Sequence, residues 1–284
     1  MSNHNNPGQA PDTGHEWDGI RELTNPPPRW WTICFYLSLL WCVVYFILYP
    51  SIPLINGPNE GVLNWSSIKE YKQAVAKYQD IREPYMDQLE QMSAAEILAD
   101  QEMLNFANSY TNALFGDYCS ACHGAGGQGV AGRFPNLRDD NWLYGGSVEA
   151  IRETITDGRE GMMPAFQADL SEAQIQELAD FVIALPQGQT TQAGWSLYEA
   201  SGCGLCHGED AKGVPDFGSA NLTDSVWRFG SSRDEVIRTI SKGVNQEDVE
   251  GSRSAIMPAF DDRLSDNDIK LLSVRVWSFG GGQR

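Results

Sequence analysis

Histidine is scarce in this chain, and the scarcity limits what chemistry the chain can perform. Among 284 residues there are four histidines, and two of them, His4 and His15, lie near the N-terminus. The other two, His123 and His207, each directly follow a Cys-x-x-Cys pair. Residues 50–284 therefore offer no histidine besides these two.

Positive charge is also in short supply. The chain has 20 Lys and Arg residues against 38 Asp and Glu residues, which gives a formal net charge of −18. This balance excludes a nucleic-acid-binding protein that relies on a basic surface, so no nucleic-acid partner is expected. The acidity is compatible either with simple solubility or with docking of a basic partner.

Charge is absent altogether from residues 30–49. Twenty residues of helix extend about 30 Å, which matches the hydrocarbon core of a bilayer. Trp30, Trp31 and Tyr49 stand at the ends of the run, where aromatic rings favour the membrane interface. We predict an uncleaved transmembrane helix over 30–49, preceded by a cytoplasmic segment 1–29.

The alternatives for this run are a buried soluble helix and a cleaved signal peptide. The run is hydrophobic on every face, which disfavours the first. It is long for a signal peptide and lacks a small-x-small cleavage site, which disfavours the second. Arg21 and Arg29 precede the run, whereas the first Lys after it is Lys69. This bias places the N-terminus in the cytoplasm and residues 50–284 outside it, as in a single-pass membrane protein.

The sequence also lacks stretches of useful length with the two-residue period of a strand. Its main pattern is an internal repeat. After a predicted helical stalk, 50–104, the segments 105–187 and 193–284 have the same order of motifs on either side of a polar linker, 186–192. Each segment ends in a predicted amphipathic helix, and Ser171 and Ser265 stand at the N-cap positions. We therefore predict an all-α fold with one transmembrane helix and two small domains.

Both repeats contain Cys-x-x-Cys-His, at 119–123 and 203–207. Two thiols one helical turn apart can form thioethers with the vinyl groups of a haem, and the following histidine can then bind the iron. A shared zinc site or a redox disulfide fits less well, because neither explains the histidine and no βαβ pattern is present. We expect two covalently bound haem c groups, attached through the cysteines and ligated by the histidines: Cys119, Cys122 and His123; Cys203, Cys206 and His207.

The sixth iron ligand cannot be a histidine, since none remains in residues 50–284. The repeated "MPAF" places Met163 and Met257 at equivalent positions, 94 residues apart, while Met162 aligns with Ile256. Met163 and Met257 are therefore the predicted axial ligands, because a thioether sulfur suits an electron carrier. In-domain pairing of each Met is the simpler expectation; crossed pairing would require the two domains to interlock. Core packing is expected for the methionines before the first motif, Met86, Met92 and Met103.

Other aligned residues predict the walls of each haem crevice. Asn136 and Asn221 occupy equivalent positions, and the carbonyl before each Asn can accept the N–H of the proximal imidazole. Trp142 and Trp227 also align, and either haem contact or core packing would explain them. An acidic insert, 245–253, lengthens the approach to Met257, and its role is not evident from the sequence.

These motifs together resemble the dihaem subunit (subunit III) of cbb3-type cytochrome c oxidases. The resemblance rests on "WDGIRELTNPPPRWW" at 17–31, "FILYP", "FPNLRDDNWLYGGSVEAI" and "GMMPAF", and it extends from about residue 15 to the end. It implies two domains like class I cytochrome c. It further implies electron transfer from a cytochrome c or a cytochrome bc1 complex, through a monohaem c subunit, to a catalytic haem–copper subunit.

Two other functions fit part of the pattern. A free-standing membrane-anchored electron shuttle would need the haem domains but not the pre-membrane signature. A dihaem peroxidase would need an open or switchable haem with a spare histidine, which residues 50–284 do not supply. No oxygen-reducing site of its own is expected in this chain.

Overall fold

The structure is a computed structural model, and it describes residues 11–55, 57–58 and 60–281. His4, the first ten residues of the predicted N-terminal segment and the last three of the predicted second domain lie outside this range. The chain divides between Arg82 and Glu83 into two compact units. The predicted all-α class is confirmed for the described residues, in which strands are confined to three short pairs.

The first unit holds the hydrophobic helix. Helix α1 (Arg29–Leu48) matches the predicted span within one residue at each end, and its length and composition are sufficient to cross a membrane. The amides of Val62 and Leu63 donate to the carbonyls of Ile47 and Leu48, which would otherwise lack partners at the helix end. A hairpin of β1 (Asp12–Trp17) and β2 (Ile20–Leu23) precedes the helix, and β3 (Pro53–Leu54) pairs with β4 (Gly57–Pro58) after it.

The β1–β2 hairpin is a feature that the sequence reasoning missed. Its turn is Asp18-Gly19, and both residues have positive φ angles, 47° and 85°. Asp-Gly is a strong signal for a two-residue hairpin turn, because both central positions of such a turn require positive φ. The signal was present, but the flanking residues lack the alternation of apolar and polar side chains that usually identifies strands.

The second unit is helical. Helix α2 spans Ser67–Gln91, and a capping box formed by Ser93 and Glu96 begins α3 (Ala94–Ala99). Ser171 and Ser265 accept backbone N–H bonds at the N-caps of α7 (Glu172–Ala184) and α11 (Asp266–Ser278), as predicted. The helices after α2 are α3 (Ala94–Ala99), α4 (Gln101–Tyr118), α5 (Ser120–His123), α6 (Val148–Asp157), α7 (Glu172–Ala184), α8 (Gln192–Ala200), α9 (Gly204–His207), α10 (Arg233–Lys242) and α11 (Asp266–Ser278). Three 3-10 turns, at Phe166–Ala168, Leu185–Gln187 and Pro215–Phe217, and a strand pair, β5 (Arg159–Glu160) with β6 (Ile256–Met257), complete it.

The two repeats exchange their closing helices. Helix α7 of the first repeat packs against α8 and α10 of the second, and α11 of the second repeat packs against α4 and α6 of the first. The sequence favoured the simpler arrangement, in which each closing helix returns to its own repeat. The physical reason for the difference is the short connection after Leu185–Gln187, because four residues before α8 keep α7 beside the next helix in the chain.

Each exchanged helix forms the centre of one buried cluster. The α7 cluster consists of Ile175, Leu178, Ala179, Phe181, Val182, Leu185, Tyr198, Ala211, Val236 and Ile240. The α11 cluster consists of Phe115, Ile151, Ile155, Phe260, Leu264, Ile269, Leu272 and Val276. A third cluster, on the other side of α11, consists of Leu89, Ile97, Met103, Ala107, Val148, Leu271 and Val274, and Met86 and Met92 pack against it. The predicted core role of the three early methionines is thereby confirmed.

Candidate haem-binding sites

The first Cys-x-x-Cys-His motif forms one helical turn. Cys119 ends α4 and precedes the four-residue α5, and the amide of His123 donates to the carbonyl of Cys119 at 2.9 Å. Gly124 ends the turn with a φ of 74°, a conformation that side chains other than Gly rarely adopt. The turn brings both cysteine side chains and the imidazole to adjacent positions.

The second motif repeats this geometry. Cys203 precedes α9, the amide of His207 donates to the carbonyl of Cys203 at 2.9 Å, and Gly208 ends the turn with a φ of 82°. The two turns lie on different clusters, since Cys119 packs against the α11 cluster and Cys203 against the α7 cluster. Within residues 11–55, 57–58 and 60–281, no three His, Cys, Asp or Glu side chains converge as a metal-binding group, so the two pairs do not form a joint zinc site.

Both proximal imidazoles are held by the carbonyls that the sequence predicted. His123 Nδ1 lies 3.1 Å from the Pro135 carbonyl oxygen, and His207 Nδ1 lies 2.8 Å from the Ala220 carbonyl oxygen. Because a carbonyl only accepts, each Nδ1 carries the proton and donates it, which leaves Nε2 as a free lone pair. That tautomer is the one a metal ligand requires.

The local environment favours the neutral imidazole. Burial lowers the pKa of both His123 and His207, while the hydrogen bonds to the Pro135 and Ala220 carbonyls act in the opposite direction. The nearby Arg228 guanidinium further lowers the pKa of His123. Burial also raises the pKa of the Cys119 thiol to about 11, so this sulfur is a neutral thiol rather than a thiolate.

Each of the two predicted methionines lies near the cysteine and histidine turn of the other repeat, whereas in-domain pairing would place it near the turn of its own repeat. Met163, from the first repeat, packs against the α7 cluster together with Cys203 and Leu222 of the second repeat. Met257, from the second repeat, packs against the α11 cluster together with Cys119. The structure thus brings each methionine to the cluster that holds the other repeat's cysteine and histidine turn.

Each methionine segment pairs through its backbone with the other repeat, and the two pairings are equivalent. Met257 pairs with Arg159 in the β5–β6 strand pair, and Met163 exchanges two hydrogen bonds with Val244, at 3.1 and 3.0 Å. Arg159 and Val244 are equivalent residues, since each directly follows the glycine that ends the preceding helix, Gly158 or Gly243. Each methionine segment is therefore held by the other repeat at an equivalent position.

Solvent exposure distinguishes Met163 from its neighbour Met162. Met162 is 73% exposed, and its aligned residue Ile256 is 56% exposed, whereas Met163 and Met257 are half-buried. Trp142 and Trp227, the aligned tryptophans, are half-buried against the α11 and α7 clusters respectively. The Trp142 indole N–H donates to the Gly281 carbonyl, so packing and hydrogen bonding account for its position.

The donor set fits haem c at each cluster. Two sulfurs and an imidazole with a free Nε2 stand on one turn, and a methionine thioether packs against the same cluster. Apolar side chains adjoin the group at both places, as a porphyrin ring requires, among them Leu137 and Leu222. Cys122 is exposed at the molecular surface, so a haem edge attached there would be accessible to a redox partner.

Comparison with known proteins identifies the family. A family model described as "Cytochrome C oxidase, cbb3-type, subunit III" matches residues 110–182 and 189–274, and one described as "N-terminal domain of cytochrome oxidase-cbb3, FixP" matches residues 9–56. The chain belongs to the cbb3-type cytochrome c oxidase subunit III family. Membership assigns it to respiratory electron transport and implies haem c binding by its cytochrome c domains.

Relatives of this family match over nearly the whole chain. A protein named "Cbb3-type cytochrome c oxidase subunit FixP" from Bradyrhizobium sp. (strain ORS 278) is 41% identical, over 95% of both chains. The protein of the same name from Azorhizobium caulinodans is 39% identical, over 97% of this chain and 95% of the relative. "Cbb3-type cytochrome c oxidase subunit CcoP" from Cereibacter sphaeroides is 37% identical, over 98% and 97%.

Proposed function

We propose that the chain is a membrane-anchored dihaem c electron-transfer subunit of a cbb3-type terminal oxidase. Its cysteine and histidine turns would hold two haem c groups, one at Cys119, Cys122 and His123 and one at Cys203, Cys206 and His207. The observation that carries the proposal is the convergence, at each of two clusters, of a Cys-x-x-Cys-His turn and a methionine. Bound haem c supplies a one-electron iron couple, and the protein supplies its ligands and its surroundings.

We further propose crossed axial ligation. Met257 would bind the iron of the haem attached at Cys119 and Cys122, and Met163 that of the haem attached at Cys203 and Cys206. The cluster memberships and the strand pairing of the two methionine segments support this assignment. A histidine and a methionine would then fill both axial positions of each iron, which would favour electron transfer over binding of an oxygen species.

Removal of one attachment site at a time tests the crossed assignment. In a chain with Cys203→Ala and Cys206→Ala, the remaining covalent haem is the one at Cys119. We expect Met257→Leu to abolish the far-red iron–thioether absorption band of that ferric haem, and Met163→Leu to leave it intact. The complementary pair, Cys119→Ala with Cys122→Ala, should show the reverse. In-domain ligation predicts the opposite pattern in both backgrounds.

For the whole subunit we propose electron transfer from a cytochrome c or a cytochrome bc1 complex to the monohaem and haem–copper subunits. Helix α1 would be a single-pass anchor in the bacterial inner membrane, with the N-terminus in the cytoplasm and the haem units in the periplasm. The proposed segments are 1–29, 30–49, 50–104, 105–187 and 193–284, with the closing helices of the last two exchanged. The absence of charge from residues 30–49 supports the anchor, and Arg21 and Arg29, which precede those residues, support the proposed orientation.

Purification from membranes in mild detergent tests the partners. An affinity tag on this chain should recover a subunit that contains haem b and copper, and reduced cytochrome c should reduce the tagged chain before oxygen is consumed. A free-standing shuttle would instead purify alone and still accept electrons, and that result would refute the role as an oxidase subunit.

A second experiment tests the proposed topology. A cysteine added near residue 15 should resist a membrane-impermeant thiol reagent in intact spheroplasts if the N-terminus is cytoplasmic.

A further inference from the structure

One asparagine side chain contacts both methionine segments. The side-chain amide nitrogen of Asn245 donates to the Gly161 carbonyl at 2.7 Å and to the Ala255 carbonyl at 3.1 Å. The side-chain oxygen accepts the Ala255 amide proton at 2.8 Å. Gly161 and Ala255 are equivalent residues, each two positions before its methionine, so one amide group links the two segments at matching points.

The chemistry of this contact requires an amide. Two carbonyl oxygens need two N–H donors and one backbone N–H needs an acceptor, and the carboxamide of Asn offers all three in one planar group. The reverse orientation of the amide would bring its oxygen against both carbonyls and its nitrogen against a donor. An Asp at this position would retain the acceptor for the Ala255 amide and lose both donors.

The backbone around Asn245 is arranged to present this side chain. Asn245 has a φ of 51°, a conformation that Asn tolerates better than most residues, and its own amide donates to the Arg253 carbonyl at 2.7 Å. The Arg253 amide donates in turn to the Gly243 carbonyl at 3.1 Å. The acidic insert 245–253 is thereby closed into a loop that begins at the bridging residue.

The repeat shows that this bridge exists on one side alone. Counting from the glycine that ends each helix, the first-repeat equivalent of Asn245 is Glu160. Glu160 lies in strand β5, where it pairs with Ile256, and no side-chain hydrogen bond from it to a methionine segment occurs in the described part of the chain. The insert 245–253 therefore supplies, through Asn245, a link between the two methionine segments that has no equivalent in the first repeat.

We propose that Asn245 is a positioning residue shared by the two methionine ligands, so that one substitution changes the axial ligation of both haem groups. The inference rests on the proposed function, because it assumes that Met163 and Met257 bind iron. It assigns to the insert 245–253 the task of coupling the two distal sites. Single methionine variants alter one haem each, whereas the loss of the Asn245 amide alters both.

The test uses the full-length chain, produced with covalent haem and purified in detergent. Asn245→Asp removes the two donors at nearly constant size, and Asn245→Gly removes the side chain while accepting the positive φ. Glu247→Ala, an exposed change within the same loop, is the matched control. The far-red iron–thioether band and the midpoint potential of each haem are measured, with covalent haem content as the check on assembly.

Two single-methionine backgrounds resolve the haems. In Met163→Leu the remaining band comes from the haem ligated by Met257, and in Met257→Leu it comes from the haem ligated by Met163. We expect Asn245→Asp to reduce the remaining band and lower the midpoint potential in both backgrounds, because displaced methionine segments weaken the ferrous-stabilising thioether bond. Glu247→Ala should change neither quantity.

The outcomes separate this inference from the proposed function. If each methionine variant removes one band but Asn245→Asp affects one background or neither, the shared positioning role is refuted and Met ligation stands. If neither methionine variant removes a band, the ligation itself is wrong and the inference falls with it. Should Asn245→Asp fail to accumulate haem, Asn245→Gly gives the same comparison with no charge introduced.

Discussion

At the residue scale, two glycines make room for the exchanged methionine segments. A Cβ on Gly158 would lie 2.5 Å from the Met257 carbonyl oxygen and 2.6 Å from the Ala259 amide nitrogen. A Cβ on Gly243 would collide with the Met163 carbonyl oxygen in the equivalent way. Both glycines also have positive φ, 69° and 68°. Backbone geometry and close approach therefore both require glycine there.

Gly158→Ala should destabilise the second unit and disturb ligation by Met257. Alanine at positive φ costs about 1 kcal/mol or more, and here the clash with the Met257 backbone adds to that cost. Gly188→Ala is the matched control, since Gly188 has a φ of 68° and its Cβ would meet nothing within 4 Å. Denaturant unfolding followed by haem absorbance measures the difference. Equal losses of unfolding free energy in the two variants would contradict the role assigned to close approach.

Met162→Leu and Met163→Leu form a second pair of variants at this scale. Met162 is largely exposed and Met163 is half-buried beside Cys203, so the former change should leave both iron–thioether bands intact and the latter should remove one. Absorption spectra of the oxidised full-length chain in the far red measure both. Loss of a band in Met162→Leu alone would reverse the assignment.

The sequence predicted much of the site at this scale. The cysteine and histidine turns, the carbonyls before Asn136 and Asn221 and the choice of Met163 over Met162 all follow from local spacing and from alignment of the repeats. Asn245 could not be predicted, because its first-repeat equivalent, Glu160, makes no corresponding side-chain hydrogen bond in the described part of the chain. Its partners are 84 and 10 positions away, and alignment of the two repeats is silent about contacts between them.

At the element scale, a lysine of α11 holds the end of α2. Lys270 is 8% exposed, and its Nζ donates to the carbonyls of Leu89, Glu90 and Met92, at 2.6, 3.2 and 2.9 Å. The last carbonyls of a helix have no partners within the helix, and a cation is the favoured partner at that end. The C-terminal helix thus caps the helix that leads into the second unit.

Lys270→Met should lower the free energy of unfolding by about 2 kcal/mol, because hydrogen bonds to a charged group contribute roughly 1.5–3 kcal/mol and one buried and two part-buried carbonyl bonds are lost. Lys69→Met, an exposed change in the first turn of α2, is the control and should have little effect. Thermal or denaturant unfolding of the purified chain measures both. Equal stability of the two variants would show that the three carbonyls find other partners.

Helices and their ends were largely predictable, whereas the partners of the helices were not. The stripes Ile175, Leu178, Val182 and Ile269, Leu272, Val276 are buried as the 3.6-residue period requires. The same stripes would be buried in either arrangement, because the apolar face of a closing helix is covered whether the covering helix comes from its own repeat or from the other. Periodicity identifies the buried face of a helix and carries no information about which of two similar helices covers it.

At the scale of the whole molecule, the exchange makes the repeats interdependent. Helix α11 packs against α4 and α6, and α7 packs against α8 and α10, so neither repeat contains its own closing helix. Because each core draws residues from both halves of the second unit, we expect that unit to unfold in one cooperative transition rather than two. Two well-separated transitions, one for each haem, would contradict this expectation.

A chain cut between the repeats should stay together. A protease site inserted after Gly188, whose surroundings are open, would separate the two halves covalently without touching either cluster. After cleavage the halves should co-elute in size-exclusion chromatography under native conditions and keep both iron–thioether bands. The uncut variant is the control. Separation of the halves, each with its band intact, would show that each repeat is complete by itself.

Helix α11 follows the other described helices in chain order, and this order sets when each part of the two clusters becomes available during synthesis. Cys119 and His123 are synthesised early, whereas Met257 and α11, which contribute to the cluster around Cys119, follow more than a hundred residues later. At the second cluster, by contrast, Met163 and α7 are synthesised before Cys203. The first Cys-x-x-Cys-His turn is therefore the later of the two to gain its complete cluster, and a stop codon before α11 would disrupt the proposed haem site at Cys119 although that motif lies far upstream.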